Sequence, residues 1–275
     1  MPNAAEVALA EAVGRMGGAG FEAVFASFLR RSIVCNNIVM IVFRRGASPE
    51  VLYQQADDPI VFHDLFRVYL PGAYLLDPYH ELHLNRIAPG AYRLMDIAPD
   101  HFHRSQYYLE YYRQTTLSDE IAFVSYPDAD TTITTCLGRD ASNTRPFGAQ
   151  AREVAARIAP VVATLADRHW REVRSPPAAL AAPIAFPADA FPERLRRVLV
   201  DSHAIRLSQR QAEVALLILQ GHSSVSIGLR LGVSAQTVKV FRRQIHARCG
   251  ISSQAELFAL LLPLLTGDKG AGVAA

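Results

Sequence analysis

Gln236, Thr237, Lys239, Arg242 and Arg243 crowd into one short stretch that begins just after Ser234. On a helix, Val238, Phe241 and Ile245 form its apolar side, which leaves Ala235, Gln236, Lys239, Arg242 and Arg243 on the polar one. A glutamine amide offers a donor and an acceptor that match an adenine edge, and Lys239 and Arg243 suit guanine or phosphate. Thr237 stands near the helix start, where the helix dipole favours an anion and a hydroxyl can donate to a phosphate. Arg230 adds a further cation nearby. From Arg206 to Gly250 there are seven cations against one anion, Glu213, so this segment carries +6 and the rest of the chain −4. Such an asymmetry is what attraction to a phosphate backbone requires, although a merely solvated basic face would look the same by charge alone.

Four short helices are needed to position these groups. Ser208 can cap the first, which runs through Val214, Leu217 and Ile218 to Gly221. Ser223 or Ser224 caps the second, with Ile227 and Leu231 facing inward, and Gly232 makes a tight turn. Ser234 then caps a third helix from Ala235 to about Arg248, and a fourth extends from about Gln254 to Leu265. A short helix, a glycine turn and a capped longer helix bearing cations describe two helices crossing steeply, the second able to enter a major groove.

The run LSQRQAEVALLILQGHSSVSIGLRLGVSAQTVKVFRRQIHARCGISSQAEL resembles the C-terminal helix-turn-helix domain of the LuxR (NarL/FixJ) family of transcription regulators. Leu207, Arg210, Glu213, Val214, Gly221, Ile227, Leu231, Val233, Ser234, Thr237, Val238, Lys239, Ile245 and Gly250 fall in step with the family pattern. The chain departs from it at Val225 and Ser226, where lysine and glutamate are usual, at Phe241 and at Cys249. The loss of lysine at 225 removes a phosphate contact that Arg230 or Arg206 can replace. The resemblance implies a dimer on a palindromic stretch of double-stranded DNA, with RNA polymerase as a further candidate partner. It makes the fourth helix the dimer contact, through Leu257, Leu260, Leu261 and Leu264.

The remainder reads as a second domain. Residues 174–192 hold five prolines and one charged residue after Arg174, which opposes both helix and central strand and predicts a semi-extended linker between a domain at 1–173 and the helix-turn-helix domain at 193–275. Ser32 to Phe43, Glu120 to Tyr126 and Thr131 to Leu137 read as strands, while Ala4 to Arg15, Phe21 to Arg31, His103 to Gln114 and Ala149 to Val173 have helical spacing. Together they predict an α+β sensor domain, an antiparallel sheet flanked by helices with a GAF-like or PAS-like fold, joined to an all-α four-helix domain. The stretch AYLLDPYHELHLNRIAPGAYRL is similar to the autoinducer-binding sensors of the family, in which an aspartate before a proline accepts from the ligand's amide; Asp77 and Pro78 match that pair. Those sensors have a tryptophan some residues earlier, whereas the single tryptophan here is Trp170, which disfavours an acyl-homoserine lactone. Four tyrosines, Tyr107, Tyr108, Tyr111 and Tyr112, form two ridges one helical turn apart, one to pack the sheet and one to line a pocket or a dimer face. Tyr74, Asp77, Tyr92, Tyr108 and Cys136 are the expected lining of a site for a small organic ligand with an apolar body and one or two polar groups.

Other chemistries find little support. The only lysines are Lys239 and Lys269, so the first 238 residues lack the lysine of a phosphate loop, a pyridoxal Schiff base or a phosphorylated receiver. Cys35, Cys136 and Cys249 are far apart, and His101 and His103 have no matching carboxylate or cysteine cluster, so neither metal nor cofactor is expected. Asp119 and Glu120 read as the end of a turn before a strand, not as a catalytic pair. With no nucleophile elbow, no secretory signal and no run of about 18 apolar residues, the expectation is a cytoplasmic regulator away from membranes, not an enzyme. Its N-terminal domain then either senses a ligand or serves only to dimerise or bind a partner protein.

Overall fold

The structure, a computed structural model, describes residues 3–45, 47–142, 145–172 and 191–266. Its first elements are α1 (Ala4–Gly14), α2 (Phe21–Ser32), β1 (Asn37–Arg44), β2 (Glu50–Ala56), α3 (Pro78–Leu84), β3 (Gly90–Arg93), α4 (Leu94–Ile97), β4 (Leu117–Ser125) and β5 (Thr131–Asp140). Six helices follow: α5 (Ala149–Glu172), α6 (Phe191–His203), α7 (Gln209–Gln220), α8 (Ser224–Leu231), α9 (Ala235–Cys249) and α10 (Gln254–Thr266). By packing, the described residues fall into two compact units. One draws on Met1–Val61, Asn85–Ile97 and Thr116–Ala185; the other on Phe62–Leu84, Ala98–Thr115 and Phe186–Ala275.

The first unit is a five-stranded antiparallel sheet in the order β2-β1-β5-β4-β3. Because side chains alternate across a strand, the register sorts them into two faces. Ile38, Leu137 and Ile121 align across β1, β5 and β4, as do Met40, Thr135 and Phe123. Apart from Thr135 these join Phe21, Phe25 and Leu29 of α2 and Ala155, Ala159, Val162 and Leu165 of α5 in one apolar core. On the opposite face Val39, Cys136, Ala122 and Tyr92 form a row across the sheet. The expected strands and antiparallel pairing are present, and β2 and β3 are additional. Of these, β2 has three exposed residues and β3 is only four residues long, so neither has the continuous apolar run that marks a central strand.

Asp119 is fully buried in β4 and belongs to no turn end. It accepts from Arg93 Nε at 2.9 Å and from the Phe147 amide at 2.7 Å, tying β3 and the segment before α5 to the sheet. Replacing it would leave the buried Phe147 amide without its acceptor and take from the half-buried Arg93 its closest carboxylate. Asp119→Ala is expected to lower the unfolding free energy by about 3 kcal/mol in a urea titration, with Asp119→Asn intermediate.

The second unit is helical. Ser208 caps α7 in a reciprocal box with Gln211, Ser223 caps α8 and Ser234 caps α9. Gly221, Gly232 and Gly250 end those three helices in the left-handed conformation. Leu207, Val214, Ile218, Ile227, Val238, Ile245, Leu257 and Leu261 are buried. The four expected helices are preceded by α6, which begins at Phe191 and Pro192, inside the stretch read as linker; residues 174–190 lie outside the described residues. Leu195 and Leu199, one turn apart and buried, carry α6, but Arg196 and Arg197 between them blunt the apolar signal.

The helix expected over His103 to Gln114 is instead a chain of short turns, Phe102–Arg104, Tyr107–Tyr111 and Tyr112–Thr115, the middle one π-helical. Ser105 Oγ donates to the Phe102 carbonyl at 2.7 Å and accepts from the Tyr108 amide at 3.1 Å. Thr115 Oγ1 donates to the Tyr112 carbonyl at 2.6 Å. Such local bonds compete with the regular helical ladder.

Candidate functional site

The cap at Ser234 sets the start of α9: its Oγ accepts from the Thr237 amide at 3.0 Å and lies 2.8 Å from the Thr237 hydroxyl. With Val238 and Ile245 buried, Gln236, Lys239 and Arg243 lie together on the exposed face. Arg242 is half-buried on the flank of that face, and burial pulls its pKa down from the ordinary arginine value. Phe241 is also only half-buried. Arg248 is drawn away to the Arg206 carbonyl and Gln211 Oε1, at 2.9 and 3.0 Å, and so braces the helices. Arg210 bonds Glu213 at 2.9 Å and reaches the Leu231 carbonyl at 3.3 Å, locking α7 to the end of α8.

Two expectations change in this unit. Arg230 is exposed but not unpaired; its Nη2 donates to Glu81 Oε2 at 2.8 Å. Leu257 and Leu261 are fully buried within the chain, where α10 packs on α7, on Leu65–Tyr69 and on Ala73–Leu76, so they belong to the core and not to an outer face. Leu260 is half-buried, and the side chain of Leu264 lies outside the described residues. The spacing of α10 leucines does not distinguish an internal from an external partner.

Asp77 lies in the helical unit, buried at the start of α3. Its Oδ2 accepts from the Tyr69 hydroxyl at 2.7 Å and its Oδ1 from the Tyr79 amide at 2.9 Å. Burial pushes its pKa up to about 6, against the opposing effect of hydrogen bonds from Tyr69, Tyr79 and Tyr107. Around it Tyr69 stacks on Tyr111 with ring centres 5.7 Å apart, and Tyr74 meets Tyr69 and His80 edge-on at 6.4 and 5.0 Å. Burial also drives His80 down to about 3, so its ring is neutral.

Of the five expected ligand residues, Tyr74 and Asp77 are therefore neighbours. Tyr108 stands apart, stacked on Tyr112 at 5.7 Å and edge-on to Phe102 at 5.4 Å; the other ridge, Tyr107 and Tyr111, belongs with Asp77. Tyr92 and Cys136 share one face of the sheet unit, Tyr92 donating its hydroxyl to the Ala88 carbonyl at 2.7 Å. Tyr69, His80, Tyr107 and Tyr111 also surround Asp77, though only the Tyr107–Tyr111 ridge is readable from the sequence as a candidate lining. The aromatic density of the sequence around Asp77 was the available signal, but the irregular turns hid which ridge faces it. Among the described residues, no three histidine, cysteine or acidic side chains are grouped to hold a metal ion.

A capped helix crossing a shorter one over a glycine turn, with an amide, a lysine and an arginine on its open face, defines a helix-turn-helix DNA-binding domain. It is a domain of the luxR type: residues 206–261 match the family of bacterial regulatory proteins, luxR family. Over 197 residues the chain is 25% identical to the Aeromonas salmonicida protein named "Putative HTH-type transcriptional regulator in exeN 3'region", covering 70% of this chain and 97% of that one. The chain thus carries the DNA-binding domain found in bacterial regulatory proteins of the luxR family. The fold of its N-terminal domain is similar to the VqsR LBD domain from Pseudomonas aeruginosa, with a TM-score of 0.50 and 24% identity over 61% of this chain and 97% of that one. SdiA of Escherichia coli aligns with 96% of this chain and 96% of its own at 15% identity, with a TM-score of 0.38. Among the described residues no helix is long and apolar enough to cross a membrane.

The raised pKa of Asp77 has a thermodynamic sign. An acid whose folded pKa lies above its unfolded value is most stabilising when protonated, below the unfolded pKa, and that stability is lost as pH rises through the folded pKa. Between pH 7 and pH 5 the native protein should therefore gain about 1 kcal/mol relative to Asp77→Asn. Parallel urea titrations at the two pH values measure the difference, and a pH-independent gap would place the Asp77 pKa near its ordinary value.

Proposed function

We propose that this regulator binds a small organic molecule through its N-terminal domain, and that occupancy sets the affinity of a homodimer for a palindromic operator. The observation that carries the ligand half is the Asp77 cluster. A buried carboxylate with a raised pKa, ringed by Tyr69, Tyr74, Tyr107 and Tyr111 and a neutral His80, is a polar focus in an aromatic setting, the usual composition of a small-molecule site. Tyr108 is proposed to contribute from the periphery of the same unit. The fold shared with an LBD domain supports the same reading.

For the DNA half, Gln236 reads an adenine edge, and Lys239 and Arg243 engage guanine or phosphate. Ser234, Thr237, Arg242 and Arg230 contact the backbone. The dimer is proposed to use the outer side of α10, with Leu260 as its apolar contribution.

With genomic fragments selected by the native protein, Lys239→Ala combined with Arg243→Ala should weaken binding at least about 30-fold and flatten the salt dependence, while circular dichroism and sedimentation stay unchanged. Unaltered affinity would remove α9 as the reading helix. Native mass spectrometry of protein purified from its own host tests the ligand. A stoichiometric organic adduct, released by gentle denaturation and lost in Asp77→Ala, is the expected result. A clean apo dimer would instead favour an N-terminal domain that dimerises or binds a partner protein.

A further inference from the structure

Within the helical unit, polar groups of α8 and of the residues just before it are engaged by acids from elsewhere in the chain. His222, which precedes the Ser223 cap, lies with its Nδ1 2.9 Å from Ser226 Oγ, and Arg230 follows one turn further along the helix. Glu81 of α3 lies against His222 and Arg230. Its Oε2 accepts from Arg230 at 2.8 Å and its Oε1 is 3.9 Å from His222 Nε2. Burial works to raise the pKa of Glu81, but His222 and Arg230 outweigh it and hold the carboxyl below the usual glutamate value. At the start of the same helix, Asp100 Oδ1 accepts from the Ser223 amide at 3.0 Å.

Three further contacts secure the arrangement. The His101 amide donates to the Gly221 carbonyl at 3.0 Å, and Gln220 Nε2 donates to the Leu75 carbonyl at 3.3 Å. A Cβ on Gly221 would come within 2.9 Å of Ser105 Cβ and 3.2 Å of the His101 carbonyl oxygen. Gly221 is therefore small for a second reason besides its left-handed backbone: the α7–α8 turn is pressed against the stretch 101–105.

In a helix-turn-helix the first helix of the pair crosses the DNA backbone, and helix-start amides and arginines are the groups that hold phosphates. Both kinds of group on α8 already hold an anion from the chain itself. We infer that Glu81 and Asp100 form an acidic latch on α8, occupying Arg230 and the helix start in place of DNA phosphates, so that the latched domain and the DNA-bound domain exclude one another. Each carboxylate, like a phosphate, supplies a negative charge and acceptor oxygens, and a donor committed to one is withdrawn from the other. The latch regulates the DNA-binding activity already assigned to this domain and rests on that assignment. Its effect is a tax on affinity, since the apparent dissociation constant rises as the unlatched fraction falls.

The test uses the full-length chain and a 30-bp mixed-sequence duplex labelled for fluorescence anisotropy at fixed, low salt. Glu81→Gln with Asp100→Asn keeps the shape of both side chains and removes both charges. The double variant is expected to bind about tenfold more tightly than the native protein, as for a latch closed about nine-tenths of the time. Equal or weaker binding, including no binding by either protein, overturns the latch. Hydrogen exchange of the native protein gives a second readout that needs no variant. Saturating duplex should reduce the protection of the His101 amide, and unchanged protection in the bound protein overturns the proposal. Adding Lys239→Ala and Arg243→Ala to the unlatched variant separates the two ideas, because affinity that survives them sinks the α9 assignment and leaves the latch standing.

Discussion

The close approach of α8 to the turn before α9 governs the helix-turn-helix. A Cβ on Gly228 would lie 2.7 Å from the Val233 carbonyl oxygen and 3.3 Å from the Ala235 amide nitrogen, both backbone atoms that cannot yield independently. Glycine there allows the two helices to touch, and the touching fixes where α9 starts. Gly232 turns the chain at φ 66°, Ser234 caps the new helix, and Val238 and Ile245 then point inward. Once those two are buried, helical geometry leaves no choice about Gln236, Lys239 and Arg243: they share the outer face. The chemistry of the reading helix is thus a consequence of a backbone contact several residues earlier.

That chain of causes explains why this part of the molecule is legible in the sequence. Caps, glycines and apolar spacing are local signals, and Ser208, Ser223, Ser234, Gly221 and Gly232 all serve where local chemistry puts them. Gly228 escaped notice because a glycine inside a helix has no local reason; its reason is a neighbour's carbonyl. The sheet was legible where strands are buried on both faces, as in β1, and illegible in β2, whose exposed residues carry little pattern.

The errors share a physical origin as well. Asp119 looked like a turn residue because an acid before an apolar run usually is one; only the fold brings Arg93 and the Phe147 amide to it. Leu257 and Leu261 looked like surplus apolar area until Leu65–Tyr69 and Ala73–Leu76 supplied the partners. Arg230 gave no local sign of its partner Glu81, which is 149 residues away in sequence. Long-range pairings of this kind leave no trace in spacing, composition or charge totals. They are also the contacts on which a regulated domain depends, because they join segments whose local preferences are indifferent to one another.

The short helix α3 is where such contacts converge. Asp77 caps its start through the Tyr79 amide, and Glu81 lies one turn further on. A group that displaced Tyr69 from Asp77, or supplied a new donor to it, would alter the cap of a helix only seven residues long. So short a helix has little hydrogen-bonded length over which to absorb a change at its first turn. Glu81, which holds Arg230 and faces His222, would carry such a displacement to the proposed latch. A ligand need not touch the DNA-binding domain to change its affinity; it needs only to interact differently with α3 in the latched and unlatched states, because that difference bounds how far it can shift the equilibrium. On the proposed latch the sign would follow: a ligand favouring the α3 position seen here would hold DNA off, and one favouring another position would release the phosphate-binding groups of α8.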